Sequence, residues 1–250
     1  MLKPGAVQAV IIDLDGTLVD SAEDLRAALN KLLGEIGLRA IELHEIKGMI
    51  GDGVLKLVER GLIAANADPA RKEALIGRFM EIYQADPATR TRCYPHVIDT
   101  LRALRDRNLR LAVVTNKPVL ATEKILDALS LAEFFQVVVG GDSVAERKPH
   151  PAPVLEAARR LGVDVGHAIM VGDNIHDVEA AHAAGMRCIA VSYGYHHRPP
   201  SEFSADHLID RFDHLLPLVT KPTPNRSEAG GGPELAGSIQ PFPTGPERHA

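Results

Sequence analysis

The stretch AVIIDLDGTLVDS, residues 9–21, decides how this chain folds. Its apolar residues Val10–Ile12 predict a short strand buried on both faces, as in a parallel sheet. Asp13 and Asp15 follow, and residues two apart in an extended chain project to the same side. A plain turn after a strand gives the same pattern. Whether the acidic pair is functional therefore depends on the rest of the chain.

The composition is that of an ordinary globular protein with no sign of a nucleic-acid or membrane partner. The 250 residues suffice for one large domain or two modest ones. The net charge is −5 and the basic residues are dispersed, so no electrostatic footprint for nucleic acid or membrane is expected. Cys93 and Cys188 lack zinc spacing, and the N-terminus lacks signal-peptide features. We expect a cytoplasmic protein, either a monomer or a homodimer.

Short apolar runs alternate with amphipathic stretches along most of the chain. The runs predict strands at Val7–Ile12, Leu111–Val114, Val137–Val139, Ala168–Val171 and Cys188–Val191. The intervening stretches predict helices at Ala121–Leu129, Pro153–Leu161 and Val178–Ala184. Such alternation indicates an α/β fold with a Rossmann-like, doubly wound parallel sheet. Ligands of these sheets bind beyond the carboxyl ends of the strands.

The segment after the first strand breaks this alternation. From Ala22 to Pro87 the pattern is helical throughout, and Ser21 and Asp24 have the spacing of a capping box that would start the first helix. The last thirty residues are rich in Pro, Gly and Ser without periodicity. We therefore predict a core of residues 1–20 and 88–220, an inserted helical cap of residues 21–87, and a disordered tail of residues 221–250.

Polar residues of similar chemistry follow four of the predicted strands. They are Asp13 and Asp15; Thr115 and Asn116; Lys148; and Asp173 with Asp177. Each group alone has a structural explanation as a turn, a helix start or a solvated loop. Because the carboxyl ends of parallel strands lie at one edge of the sheet, the four groups together predict a functional site there.

The residue types at this edge predict phosphoryl transfer. Several carboxylates without a converging Cys or His favour Mg²⁺ over zinc. Asp13, Asp15, Asp173 and Asp177 exceed the charge of Mg²⁺ and Lys148, so one acid should be easily protonated and act as a general acid. Donors suited to a phosphoryl group are available from Thr115, Asn116, Lys148 and the backbone amides around Gly16 and Thr17. A carboxylate nucleophile would then form an aspartyl-phosphate.

The motifs DxDGT (Asp13 to Thr17), Thr115-Asn116, Lys148-Pro149 and GDxxxD (Gly172 to Asp177) resemble those of the haloacid dehalogenase superfamily. They occur in the family's order and cover about residues 7–195. The resemblance implies that Asp13 is the nucleophile and a metal ligand. It implies that Asp15 is the acid and base, with its backbone carbonyl on Mg²⁺. It further implies phosphoryl binding by Thr115 and Lys148, metal binding by Asp173, and a supporting role for Asp177.

Within this family the sequence favours a phosphatase over a dehalogenase. A halide leaving group needs no proton whereas an alkoxide does, and Asp15 would supply it. The segments IKGMIGDGVLKLVERGL (residues 46–62), CYPHV, TNKP and RKPHPAP are similar to those of bacterial phosphoglycolate phosphatases. This similarity implies hydrolysis of 2-phosphoglycolate, a small phosphorylated metabolite, to glycolate and phosphate. Lys47 and Gly51, in the turn before a helix, are the candidate contacts to the leaving group.

Several alternatives remain open on the sequence. Related caps serve sugar phosphates, N-acetylmuramic acid 6-phosphate or pyrophosphate. A phosphomutase would keep the aspartyl-phosphate and pass it to a second hydroxyl, but Gly51 stands where the similar mutase cap carries an Arg. A non-catalytic interaction module would not need an intact nucleophile, acid and metal ligand.

Overall fold

The computed structural model describes residues 6–220, and the predicted tail lies outside the described residues. Six strands form one parallel sheet; they are β1 Ala9–Ile12, β4 Arg110–Val114, β5 Val137–Val139, β6 Ala168–Gly172, β7 Arg187–Val191 and β8 His207–Ile209. Their order in the sheet is β5-β4-β1-β6-β7-β8. A separate antiparallel pair joins β2 Val19–Asp20 to β3 Arg92–Cys93. The predicted α/β fold with a Rossmann-like parallel sheet is confirmed.

Nine α-helices are present in the described part of the chain. They are α1 Ala22–Glu35, α2 Leu43–Lys47, α3 Val54–Ala64, α4 Lys72–Ala85, α5 Val97–Asp106, α6 Val119–Ala128, α7 Ala152–Leu161, α8 Ile175–Ala183 and α9 Leu215–Thr220. In this range none of the helices is long and apolar enough to cross a bilayer.

Helices cover both faces of the sheet because its strands send alternate apolar residues to opposite sides. In β1, Val10 and Ile12 pack in the same cluster as residues of α5, α6 and α9, whereas Ala9 and Ile11 pack with residues of α7 and α8. All four are fully buried. Two hydrophobic layers therefore hold β1 at the centre of the sheet and fix the position of the acidic residues that follow it.

Helices α1–α4, which we call the helical segment (residues 22–85), form a third hydrophobic cluster beside the sheet. This segment lies in the chain between β2 and β3, and α4 packs against both α1 and α3. Phe79 and Tyr83 of α4 are almost fully buried in this cluster. Ala121 and Tyr195 from the rest of the chain also belong to the cluster. The helical segment therefore packs against the start of α6 and against the chain that follows β7.

The expected capping box at the start of α1 is wrong. Ser21 occupies the N-cap position but makes no side-chain capping bond, and its hydroxyl donates to the Asp15 carboxylate instead. The Asp24 carboxylate accepts from the backbone amides of Arg90 and Thr91 and from the Thr91 hydroxyl, at 2.7–3.1 Å. Both side chains are used for contacts with distant segments, which local spacing does not reveal.

The Asp24 contacts yield a test of how the helical segment is anchored. We expect Asp24→Ala to lower the free energy of unfolding by about 3 kcal/mol, because the buried amide and hydroxyl of Thr91 and the partly buried amide of Arg90 lose their acceptor. The control Glu23→Ala, on the same turn of α1 and partly exposed, should cost less than about 0.5 kcal/mol. Urea unfolding measures both, and similar small losses would show that Asp24 does not anchor the segment.

Candidate active site

Three carboxylates converge at the carboxyl ends of β1 and β6. Asp13 follows β1, Asp173 follows β6, and Asp177 lies in the first turn of α8. Each offers an oxygen within 4.8 Å of the other two, and all three residues are buried. The backbone amide of Asp13 donates to the Val171 carbonyl at 2.9 Å, which holds the two strand ends side by side. The sheet therefore creates an acidic cluster from residues 160 positions apart.

The Lys148 ammonium is the cation that contacts this cluster. It donates to Asp13 Oδ1 at 2.8 Å, to Asp177 Oδ1 at 2.7 Å and to the Val114 carbonyl at 2.7 Å. Only 5% of the residue is exposed. These three acceptors engage all three N–H donors of the ammonium. Lys148 therefore fixes the Asp13 side chain relative to the end of β4 and the start of α8.

The electrostatics of the cluster suit a divalent cation. Burial raises the pKa of Asp13 to about 6, against the opposing effect of Lys148. Burial and the charges of Asp13 and Asp177 raise the pKa of Asp173 well above its usual range. Three ionised carboxylates and one ammonium leave an excess of two negative charges. Buried oxygen ligands with this excess charge fit Mg²⁺, which would compensate it.

Glycines leave room for the carboxylates of the cluster. A Cβ atom on Gly16 would lie 2.2 Å from Asp173 Oδ2, and one on Gly194 would lie 2.3 Å from Asp173 Cβ. A Cβ atom on Gly172 would lie 2.2 Å from Asp177 Cγ. These separations are far below van der Waals contact, so each of the three positions excludes a side chain.

Asp15 lies apart from this cluster and has its own partners. Its Oδ2 is 2.7 Å from the Lys117 ammonium, and its Oδ1 accepts from the Ser21 hydroxyl. Asp15 and Lys117 both line a cavity of about 30 Å³ between the sheet edge and the helical segment. The other lining residues are Leu25, Ile50, Gly51, Gly53, Val54, Leu57 and Asn116. The two acids of the DxD motif therefore pair with two different lysines.

The predicted phosphoryl donors are near the cluster, but several already have partners. The Asn116 amide donates to the carbonyls of Lys148 and Gly51, and its oxygen accepts from the Lys148 amide, all at 3.0 Å. Thr115 is buried, and its hydroxyl oxygen accepts from the Lys117 amide at 3.2 Å. Asn116 therefore fastens the Lys148 loop to the helical segment in this structure.

The backbone amides in the turn after Asp15 are engaged within the turn, whereas the sequence analysis expected them to be donors to a phosphoryl group. The Gly16 and Thr17 amides donate within the turn, to the carbonyls of Val19 and Leu14, so neither is a free donor here. The Thr17 hydroxyl donates to Asp173 Oδ1 at 3.0 Å. Thr17 thus orients an acid of the cluster.

Gly51 and Lys47, the two residues of the helical segment predicted to contact the leaving group, lie in different environments. Gly51 lines the cavity, and a Cβ atom there would lie 2.9 Å from Asn174 Nδ2. Lys47, at the end of α2, is exposed and is not among the residues that line the cavity. The turn at residues 47–53 therefore brings glycines to the cavity and leaves the lysine outside.

Comparison with known proteins identifies the family. Residues 10–191 match the model of the haloacid dehalogenase-like hydrolases. The chain belongs to this family. A curated relative, phosphoglycolate phosphatase from Cereibacter sphaeroides, is 43% identical over 214 residues, which are 85% of this chain and 97% of the relative.

Solved structures agree with this assignment. A Haemophilus somnus protein described as a predicted phosphoglycolate phosphatase has a TM-score of 0.80 at 32% identity, covering 85% of this chain and 97% of that protein. CbbY from Rhodobacter sphaeroides has a TM-score of 0.69 at 27% identity, covering 84% and 96%. CbbY was solved in complex with phosphate and, as a variant, with xylulose-1,5-bisphosphate.

Sequence reasoning on this hydrolase missed Tyr195 entirely. The Tyr195 amide donates to Asp173 Oδ2 at 2.6 Å. Its phenol oxygen accepts from the amides of Ser21 and Ala22 at 2.7 and 3.1 Å, and its hydroxyl donates to Asp20. No motif marks this residue, because the partners of its phenol group lie about 175 positions earlier in the chain. Tyr195 links the start of α1 directly to the acidic cluster.

The helical segment of this hydrolase also contacts α8 through a charged group that the sequence analysis did not identify. Asp52, just before α3, contacts His176 of α8 and Arg60 of α3. The contact with Asp52 raises the pKa of His176 above its ordinary value. His197 Nε2 lies 2.9 Å from the Ile50 carbonyl. These contacts hold residues 50–52 against the start of α8.

The glycine contacts in the cluster yield a second test. In Gly172→Ala the new methyl group should displace the Asp177 side chain and break its contact with Lys148, costing about 1–3 kcal/mol of stability. Gly166→Ala is the control, because a Cβ atom there meets nothing within 4 Å. Denaturant unfolding compares the two variants, and equal stability would show that the sheet edge is not tightly packed.

Proposed function

We propose that this chain is a Mg²⁺-dependent phosphomonoester hydrolase that converts 2-phosphoglycolate to glycolate and phosphate. The observation that carries this proposal is the pair of separate acids at the sheet edge. Asp13 is held by Lys148 in a buried carboxylate cluster, whereas Asp15 faces a cavity with its own lysine. The names of the relatives reported above support the choice of substrate.

In this proposal Asp13 is the nucleophile. A carboxylate oxygen of Asp13 forms a bond to phosphorus while the bond from phosphorus to the ester oxygen breaks, giving an aspartyl-phosphate. Lys148 contributes by fixing the carboxylate in one orientation. Thr115 and Lys148 are the proposed contacts to the phosphoryl oxygens, and Lys148 would exchange one of its three present acceptors for a phosphoryl oxygen.

Asp15 would be the general acid in the first step and the general base in the second. In the first step it gives a proton to the leaving ester oxygen, so glycolate departs as an alcohol. In the second step it takes a proton from water, whose oxygen attacks phosphorus and releases phosphate from Asp13. The Ser21 hydroxyl and the Lys117 ammonium fix the orientation of the Asp15 carboxylate, which is the form that takes the proton from water in the second step.

The residues suited to hold Mg²⁺ are the side chains of Asp13 and Asp173 and the backbone carbonyl of Asp15, with Asp177 in support. The raised pKa values of Asp13 and Asp173 are consistent with a site that gains from a positive charge. When bound, Mg²⁺ supplies positive charge that offsets the negative charge of the phosphoryl group.

The size and lining of the cavity favour a small leaving group. Its volume of about 30 Å³ is on the order of two water molecules, so a bulky leaving group does not fit unless the helical segment moves. Leu25, Ile50, Val54 and Leu57 give it apolar walls that offer no partners to the hydroxyls of a sugar. A sugar phosphate remains the second candidate, because CbbY was solved with a sugar bisphosphate.

We further propose that residues 21–87 act as a cap over the site, as predicted from the sequence. Support comes from the position of Gly51 and Gly53 in the cavity wall and from the bond between Asn116 and the Gly51 carbonyl. A cap that closes over the leaving group excludes water from the reaction.

Replacement of the two acids tests the mechanism. Asp13→Asn should abolish phosphate release with the fold intact, since an amide cannot attack phosphorus. Asp15→Asn should slow hydrolysis of alkyl phosphates by roughly 10²–10⁴, and of aryl phosphates by less, because a better leaving group needs less protonation. Phosphate release from 2-phosphoglycolate and p-nitrophenyl phosphate measures this, and equal losses for both would remove Asp15 from the acid role.

Metal removal tests the cofactor. Chelation should abolish activity and added Mg²⁺ should restore it. Asp173→Asn should raise the Mg²⁺ concentration for half-maximal activity at least about 10-fold, by loss of one ligand. Asp99→Asn, an exposed residue that pairs with Arg102, is the matched control and should leave that concentration unchanged. Full activity after chelation would contradict the assignment of the cluster to Mg²⁺.

A panel of substrates tests the function as a whole. Phosphate release from 2-phosphoglycolate should exceed release from sugar phosphates, nucleotides and pyrophosphate by kcat/KM. A preferred sugar phosphate would replace the proposed substrate, and an isomerised sugar phosphate without free phosphate would indicate a mutase.

A further inference from the structure

The cavity beside Asp15 contains one ion pair in otherwise apolar or uncharged surroundings. Lys117 is 5% exposed, and its ammonium lies 2.7 Å from Asp15 Oδ2. Among the described residues that line the cavity, Lys117 is the one with a positively charged side chain. Any negative charge on a ligand in this cavity therefore meets Lys117 as its counter-charge.

Contacts other than Asp15 also hold the Lys117 side chain in place. Its ammonium lies 4.9 Å from the centre of the Tyr83 ring, which is a favourable cation–π arrangement. Tyr83 is 1% exposed in the core of the helical segment. The ammonium would thus stay at the cavity wall while it shares its three donors between Asp15 and a second anion.

We propose that Lys117 determines specificity by binding an acidic group on the leaving alcohol, so that the preferred substrates are phosphate esters of short hydroxy acids. This inference rests on the proposed phosphatase function, in which Asp15 faces the ester oxygen. Because Lys117 contacts Asp15, an anion bound to Lys117 lies close to that ester oxygen. A carboxylate one carbon away from the ester oxygen satisfies this distance, whereas a distant charge on a long chain does not.

The apolar walls strengthen this recognition. The attraction between two charges grows as the surrounding dielectric constant falls, and Leu25, Val54 and Leu57 keep that constant low. A neutral leaving group of the same shape would forgo this attraction. Lys47, the other lysine considered for this role, is exposed and does not line the cavity. Lys117 is therefore the cation positioned to bind a negative charge on the leaving group.

The test compares an acid with its neutral isostere. The substrates are 2-phosphoglycolate and 2-phosphoglycolamide, in which a carboxamide replaces the carboxylate. The variants are Lys117→Met, which keeps an apolar stem without the charge, Lys117→Arg, which keeps the charge, and the control Lys47→Met. The measured quantity is the ratio of kcat/KM for acid over amide, with p-nitrophenyl phosphate and the thermal midpoint recorded for each protein.

We expect a ratio of about 10–100 in the wild type, since loss of a charged partner in a buried site typically has an effect of this size. Lys117→Met should reduce the ratio to about 1–3, whereas Lys117→Arg and Lys47→Met should keep it above about 10. Any disturbance of Asp15 slows both substrates alike and cancels in the ratio. The ratio therefore separates recognition of the acid from a general effect on catalysis.

Three results would overturn the inference. They are a wild-type ratio near one, a ratio unchanged in Lys117→Met, and a ratio lost in Lys47→Met. If Lys117→Met does not fold, Lys117→Gln takes its place, and the wild-type ratio still decides against the proposal when it is near one. Absence of phosphate release from every substrate would instead refute the proposed phosphatase function, so the two failures are distinguishable.

Discussion

The arrangement of the site depends on one buried ammonium group. Lys148 contacts Asp13 after β1, the Val114 carbonyl at the end of β4, and Asp177 in α8. A lysine so deeply buried remains charged because, although burial lowers its pKa, the charges of Asp13 and Asp177 raise it above the ordinary value. Removing that charge would leave two buried carboxylates without their cationic partner, which is among the most destabilising changes a core can undergo. The contacts of the Lys148 ammonium therefore hold the carboxyl ends of the strands together in addition to the hydrophobic packing of the sheet.

Much of the sheet and the acidic cluster could be predicted because their signals are local. Buried parallel strands such as β4 and β6 read as continuous apolar runs, and the polar residues that follow them must lie at one edge. β8 could not be predicted in this way, because His207 and Leu208 are exposed and only Ile209 is buried. Its pairing with β7 depends on the rest of the sheet rather than on its own sequence.

Partners across long sequence separations were the part that could not be predicted. The spacing of Ser21 and Asp24 suggested a local capping box, but their partners are Asp15 and the chain at residues 90–91. Similarly, Lys117 and Lys148 both follow strand ends, and nothing in the sequence tells which carboxylate each will meet. The three-dimensional structure gives each acid of the DxD motif a separate lysine. The limits of the core, cap and tail, and the catalytic roles, stay predictions.

Tyr195 has a consequence for how the molecule transmits movement. Its backbone amide holds Asp173, while its phenol group holds the chain where α1 begins. Displacement of the start of α1 must either break the phenol contacts or pull on the peptide that holds Asp173. The start of the helical segment and the acidic cluster are thus connected through a single residue, whose side chain holds one and whose backbone holds the other.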